Sequence, residues 1–298
     1  MTTRTSPAAA AGTWKLGDLT VNRIGFGAMR LTGSVAFGPG VPGDRERSIR
    51  VLRHAIELGV DHIDTASFYF SPHLSANELI NRALSPYPDD LVIATKVWPG
   101  RDPSGAWWWA TPEQLRGQVE ENLRQLGRDH LDVVNLRVPP SSRAGSIAEH
   151  FSALAELRDA GLIRHLGVSN VTPEQLAEAQ AIAPVVCVQN PFGVGAPAEQ
   201  RELLRGCGEQ GIAFVPFFAI AGAGREAGAT ATEHEEVLAV AREHGVTPAQ
   251  VRLAWTLRLA PNVLAIPGTG NPGHLAENVA AGALRLSDDD MARLQSPT

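Results

Sequence analysis

The chain alternates between two kinds of segment. Short apolar runs at 24–27, 60–64, 91–96, 131–136, 163–168, 185–189, 212–215 and 263–266 show no clean polar/apolar alternation. Strands covered on both faces read this way. Between them lie longer stretches whose apolar residues recur at helical spacing, such as Ile49, Leu52 and Ile56 in 48–58. Helix starts are marked chemically. Thr111-Pro112-Glu113-Gln114 and Thr172-Pro173-Glu174-Gln175 each offer a capping hydroxyl, a proline at the first position and an acid and amide behind it. Asp44 is a further cap, and Gly59 and Gly161 close two helices. Helices are predicted at 48–58, 77–84, 111–126, 147–160, from Thr172, and at 199–210, 233–244, 248–259, 272–280 and 288–294. Residues 13–21 read as a hairpin turning at Gly17-Asp18 and plugging the barrel floor.

Eight buried strands alternating with helices predict an α/β fold, a (β/α)8 TIM barrel with an N-terminal β-hairpin and C-terminal helices. The expected organisation is a flexible tail at 1–12 and one barrel domain at 13–298. A doubly wound sheet competes, and Gly268-Thr269-Gly270-Asn271-Pro272-Gly273 even spells its phosphate fingerprint. Only 25 residues follow Gly273, too few for the rest of that fold. The free amides opening a helix after the eighth strand still predict an anion site.

Composition narrows the classes. A net charge of -6 argues against a nucleic-acid footprint. There is no run of 18 apolar residues, so no membrane span is expected. The only cysteines, Cys187 and Cys207, lack a metal spacing, so no metal and a cytoplasmic location are expected.

The candidate chemistry stands at strand ends. Asp64 ends the second strand, Tyr69 follows five residues later, and Lys96 ends the third strand. Facing one mouth, Asp64 can hold Lys96 charged, and Lys96 can lower the Tyr69 pKa below that of a free phenol. Such a phenol can give a proton to a carbonyl oxygen. Ser169 and Asn170 end strand five and Gln189 ends strand six, where short amides and hydroxyls can bind a carboxamide. Trp107, Trp108 and Trp109 cannot all face one core, so at least one lines the mouth, with Trp98 and Phe37 as companion substrate residues.

The order Asp64-Thr65-Ala66-x-x-Tyr69, then a strand ending in Lys96, resembles the aldo-keto reductase superfamily over nearly the whole chain. The resemblance implies an NADP-dependent enzyme that reduces an aldehyde or ketone to an alcohol. Tyr69 donates the proton, Lys96 tunes it and Asp64 positions Lys96. The nicotinamide amide falls to Ser169, Asn170 and Gln189, with Phe217 stacking in place of a tyrosine and Phe218 in place of a serine. Gly27, Met29, Asp64, Ala219, Ile220, Ile266 and Gly270 are further cofactor positions, with Glu277 and Asn278 near the adenine. Residues 219–228 read as a flap over the pyrophosphate. Gly268, Thr269 and His274 stand where many members carry Lys, Ser and Arg, so NADPH is the expected cofactor with NADH left open.

Arg137 stands where the family carries a catalytic histidine. A guanidinium can still stabilise an oxyanion. The alternative is an outward Arg137 paired with Asp132 or Glu156; His73 is a substitute histidine. Asn135-Leu136-Arg137, Phe37-Gly38-Pro39 and Val215-Pro216-Phe217-Phe218 are similar to a bacterial branch that includes pyridoxal reductases. Arg137 would suit an anionic or phenolate-bearing substrate. Two other readings stay open, a cofactor-binding barrel without reductase activity and a specialised enzyme of dehydration, epimerisation or imine reduction. The substrate and oligomeric state are not legible.

Overall fold

The computed structural model describes residues 6–33, 41–142, 144–220 and 234–295. Seven parallel strands form one sheet in chain order: Phe26–Gly27, His62–Asp64, Val92–Val97, Leu131–Arg137, Ile163–Ser169, Val185–Gln189 and Ala213–Phe214. Residues 263–266 close it. Val263 bridges Phe214 on one side and Ala265 bridges Ile24 on the other, both in parallel. The ring is therefore a (β/α)8 barrel, with the eighth strand held by single bridges. Among the described residues, the helices alternate with the strands, from Arg45–Glu57 to Asp288–Gln295.

The local signals form as read. Asp44 caps the first helix by accepting from the Arg47 amide at 2.6 Å, although the helix begins at Arg45 because its first turn is polar and outward. The Thr172–Gln175 box is reciprocal, with both bonds at 3.2 Å. Thr247 and Gln250 repeat it at 3.0 and 3.3 Å, starting the helix Pro248–Leu259.

The hairpin Thr13–Leu16 and Leu19–Asn22 turns at Gly17, whose φ of +65° a side chain would resist. Its Leu16 and Val21 pack with Val92, Val133, Cys187, Ala213 and Leu264. The hairpin thus seals the floor, and ligands must enter at the opposite mouth.

Part of the expected tail is ordered. Pro7–Ala11 is a 3-10 helix, with Ala8 fully buried and its amide bonded to the Leu58 carbonyl at 3.0 Å. The Ala-rich composition suggested fraying, but small side chains are what allow this close packing. Both cysteines are free and buried, with thiols pushed up to about 12 by burial. No helix among the described residues is long and apolar enough to cross a membrane.

Candidate active site

Sheet register brings the strand ends together. Gly27 pairs with Asp64, Asn135 with Lys96, Arg137 with Ser169, and Ser169 with Gln189. The mouth above them opens into a cavity of about 1280 Å³. That exceeds the roughly 300–1,000 Å³ usual for one small ligand and suits a cofactor together with a substrate.

At its floor the Lys96 ammonium, 2 % exposed, donates to Asp64 Oδ1 at 2.6 Å and to the Thr65 carbonyl at 2.9 Å. Gln189 Nε2 donates to the other Asp64 oxygen at 2.8 Å. Asp64 is thereby engaged on both oxygens, and a buried charge pair in this geometry is fixed in place. Lys96 Nζ also lies 5.0 Å from the centroid of the Tyr69 ring, which is itself buried.

One expectation is corrected. Burial pushes the Tyr69 phenol above its ordinary value of 10.0, against the pull of Lys96 and Arg137; Asp64 adds to the rise. Counting charged neighbours omitted the desolvation of the phenolate. The raised value keeps the donor protonated at neutral pH, while the two cations remain positioned to stabilise the anion that forms as its proton leaves.

Arg137 lines the same cavity. Its Nη1 donates to Ser169 Oγ at 3.3 Å, and its guanidinium lies 5.0 Å from the Phe217 ring centroid. It does not reach Asp132, which instead accepts from the Ile93 amide at 2.8 Å and pairs with Arg128 at 3.5 Å. His73 is exposed and is absent from the lining.

The residues named for the cofactor divide. Gly27, Met29, Asp64, Asn170, Gln189, Phe217, Phe218, Ala219, Ile220, Ile266, Gly268, Thr269 and Gly270 line the cavity. Ser169 is fully buried beside it under Arg137. His274, Glu277 and Asn278 are not part of the lining; His274 is exposed on the helix Pro272–Ala280. Residues 221–228 of the expected flap lie outside the described residues, as does Phe37.

One buried atom indicates what the cavity receives. Gln189 Oε1 is buried without a hydrogen-bond partner. An orphaned acceptor costs stability unless a ligand fills it. A carboxamide N–H group supplies the missing donor, so the residues present fit a nicotinamide.

The aromatic wall differs in detail from expectation. Trp107–Trp109 is a strand paired with Pro99–Arg101. Strand alternation puts Trp107 and Trp109 on one face, stacked with centroids 6.2 Å apart, and both line the cavity. Trp108 faces the other way, over Gly100, where any Cβ would fall 2.3 Å from its ring. Trp98 is not a cavity residue either. A φ of +94° turns its indole into the core, stacked 3.9 Å from His150, and Gln118 clasps its backbone at 2.7 and 3.3 Å.

Among the described residues, the non-glycine positive-φ positions are Trp98 and Asn170, each directly after a barrel strand, and Phe218, four residues after one. Each such position costs on the order of 1–3 kcal/mol and needs support. Asn170 receives it from its side chain, which donates to the Val138 carbonyl at 2.9 Å.

Behind the site lies a polar network that no local pattern revealed. Thr65 donates to Asn77 at 2.7 Å, and Asn77 and Thr95 both donate to Asn122, at 3.0 and 2.6 Å. It ties the ends of strands two and three to the next two helices.

The first and eighth strands meet backbone to backbone. A Cβ at Gly27 would fall 2.6 Å from the Ile266 carbonyl oxygen, and one at Gly268 would fall 2.5 Å from that of Gly27. Gly268 is therefore set by packing. Gly27→Ala is expected to destabilise the barrel by roughly 1–3 kcal/mol, the cost of overpacking against backbone. An unchanged thermal midpoint would contradict this close approach.

A parallel barrel whose mouth holds a buried acid–lysine pair, a tyrosine and a carboxamide acceptor defines an oxidoreductase of the carbonyl-reducing class. Residues 23–297 match the Aldo/keto reductase family. The chain is 45% identical to pyridoxine 4-dehydrogenase of Escherichia coli K12 over 96% of its own length and 98% of that protein's. It superposes on a thermostable aldo-keto reductase crystallised with the inhibitor epalrestat, with a TM-score of 0.78 at 30% identity, covering 95% of this chain and 98% of the other. An aldo-keto reductase from Klebsiella pneumoniae in complex with NADPH matches with a TM-score of 0.75 at 27% identity, covering 92% and 90%. The chain belongs to the aldo/keto reductase family.

Proposed function

We propose that the protein reduces a small aldehyde to an alcohol with NADPH, and that a pyridoxal-like aldehyde is its preferred substrate. The observation that carries the reading is the buried Lys96 ammonium, 2.6 Å from Asp64 and 5.0 Å from the Tyr69 ring centroid, on the floor of a cavity walled by Arg137. The similarity to pyridoxine 4-dehydrogenase supports the substrate class. Two free, buried cysteines suit a cytoplasmic setting.

NADPH, when bound, supplies the hydride that forms the new C–H bond. Gln189 and Asn170 would hold its carboxamide, and Phe217 would present a ring to its nicotinamide. Tyr69 gives its phenolic proton to the carbonyl oxygen as the C=O π bond breaks. Lys96 stabilises the departing phenolate, and Asp64 keeps Lys96 charged and placed. Arg137 faces the developing oxyanion or an anionic oxygen of the substrate. Trp107 and Trp109 provide a flat apolar wall for an aromatic ring.

Turnover of NADPH with a panel of aldehydes that includes pyridoxal tests the reading. Preference for aromatic aldehydes bearing an anionic oxygen is expected; no turnover with any carbonyl would sink it.

The raised Tyr69 pKa gives a pH prediction. A donor whose folded value lies above 10.0 stays protonated up to that pH. Reduction should therefore keep its proton donor from neutrality to about pH 10, whereas alcohol oxidation needs the phenolate and should rise throughout that range. Profiles of kcat in both directions check this. A reduction rate falling with an apparent pKa of about 7 to 8 would contradict the buried phenol.

A further inference from the structure

We propose that Thr65, Asn77, Thr95 and Asn122 are positioning residues for the proton donor: hydrogen bonds among them fix the Lys96 ammonium against the Tyr69 hydroxyl and thereby set the rate of reduction. This rests on the roles of Tyr69 and Lys96 proposed above. Lys96 is held by Asp64 and by the Thr65 carbonyl at 2.9 Å, and it also bonds the Tyr69 hydroxyl. The place of that carbonyl therefore aims the ammonium. Thr65 is itself held twice. Its amide donates to the Ala94 carbonyl at 2.8 Å, and its hydroxyl donates to Asn77 Oδ1 at 2.7 Å. Asn77, in the helix Ala76–Leu84, donates in turn to Asn122 Oδ1 and Gln125 Oε1 of the helix Leu115–Leu126, both at 3.0 Å. Asn122 Oδ1 also accepts from Thr95, the residue before Lys96, at 2.6 Å. Asn122 Nδ2 donates to the Gln118 carbonyl at 2.8 Å, and Gln118 Oε1 holds the amide of Trp98, two residues after Lys96. The strand segment that carries Lys96 is thus gripped on both sides of it.

The residue types point to placement rather than to stability. All four side chains are fully buried, on helices whose other buried residues include Leu79, Ile80, Val119 and Leu126. Apolar side chains of the same shape would dock these helices about as well, because a buried polar pair adds little net stability and costs much when one partner is missing. None of the four has a buried polar side-chain atom without a partner. What hydrogen bonds add is direction. Direction matters for an ammonium that must meet a phenolate, since a misplacement of about 1 Å can cost roughly 10²-fold in rate even when its origin is far from the chemistry. None of the four lines the cavity, so their effect on the reaction passes through Lys96.

The test compares Thr65→Val, which keeps the shape and removes the hydroxyl, with Thr65→Ser, which keeps the hydroxyl and removes a methyl. Single-turnover oxidation of NADPH at varied pyridoxal or benzaldehyde gives the rate of the chemical step and the aldehyde affinity. Calorimetry gives the NADPH Kd, and thermal unfolding verifies folding. Thr65→Val should slow the chemical step roughly tenfold, part of the cost of a 1 Å error, and leave both affinities within about twofold. Thr65→Ser should keep a near-full rate. Thr65→Val leaves Asn77 Oδ1 unpaired, so Thr95→Val is the second variant. There Asn122 Oδ1 keeps its bond from Asn77, the fold should hold, and the rate should fall roughly threefold with unchanged affinities. An unchanged rate in folded Thr65→Val or Thr95→Val would overturn the proposal. A loss in Thr65→Ser as large as in Thr65→Val would overturn it too, by assigning the residue to packing. So would weakened NADPH binding, the mark of a generally loosened mouth. A wild-type protein that reduces neither aldehyde would instead overturn the reading of Tyr69 and Lys96, and the proposal with it.

Discussion

Tyr69→Phe is expected to lose roughly 10²–10⁴-fold in carbonyl reduction, the usual worth of a positioned general acid. The substitution is clean because the ring stays. Tyr69 packs edge-on against Phe68 with centroids 5.1 Å apart, and Lys96 lies 5.0 Å from its centroid. Phenylalanine keeps both contacts and loses the hydroxyl with its bond to Lys96. The Asp64–Lys96 pair is also tied to Gln189 and the Thr65 carbonyl, so the floor of the site should hold when the phenol's bond to Lys96 is lost. NADPH affinity should be nearly unchanged while kcat collapses. A variant with near-full kcat would remove Tyr69 from the chemistry.

Arg137→Met should cost about 2–4 kcal/mol of transition-state stabilisation with an anionic aldehyde, the range found when one oxyanion donor is removed. Its single described side-chain hydrogen bond, to Ser169 Oγ at 3.3 Å, is long, and most of its donors remain for a ligand. Methionine keeps an apolar stem against Phe217, so loss of packing stays small. The comparison that decides is kcat/KM on an anionic aldehyde and on an uncharged one. A larger loss with the anionic aldehyde assigns Arg137 to recognition as well as catalysis. Equal, small losses on both would make it a packing residue.

The legible part of the molecule was local or periodic. Helix starts at Thr111 and Thr172 were readable because a capping box involves four consecutive residues. The barrel was readable because its strands are apolar on both faces, and register then carried Asp64, Lys96, Arg137, Ser169 and Gln189 to one mouth. What escaped depended on distant partners. Ala8 is buried by contact with the end of the first helix, some fifty residues away in sequence. Trp98 left the mouth because Gln118 holds its backbone in a left-handed turn. Trp109 joined the wall because residues 99–101 pair with 107–109 and fix which indoles share a face. The sign of the Tyr69 shift was missed because burial is not a property of neighbouring residues in sequence.

The central claim is hydride transfer to a carbonyl paired with proton donation by Tyr69. Its most direct test is reaction of pyridoxal with NADPH deuterated at the transferable C4 position, followed by mass spectrometry of the product. The wild-type protein should form pyridoxine with deuterium on the former carbonyl carbon, and Tyr69→Phe should form almost none. Bound NADPH with no labelled alcohol, or labelled alcohol formed equally fast by Tyr69→Phe, would contradict it.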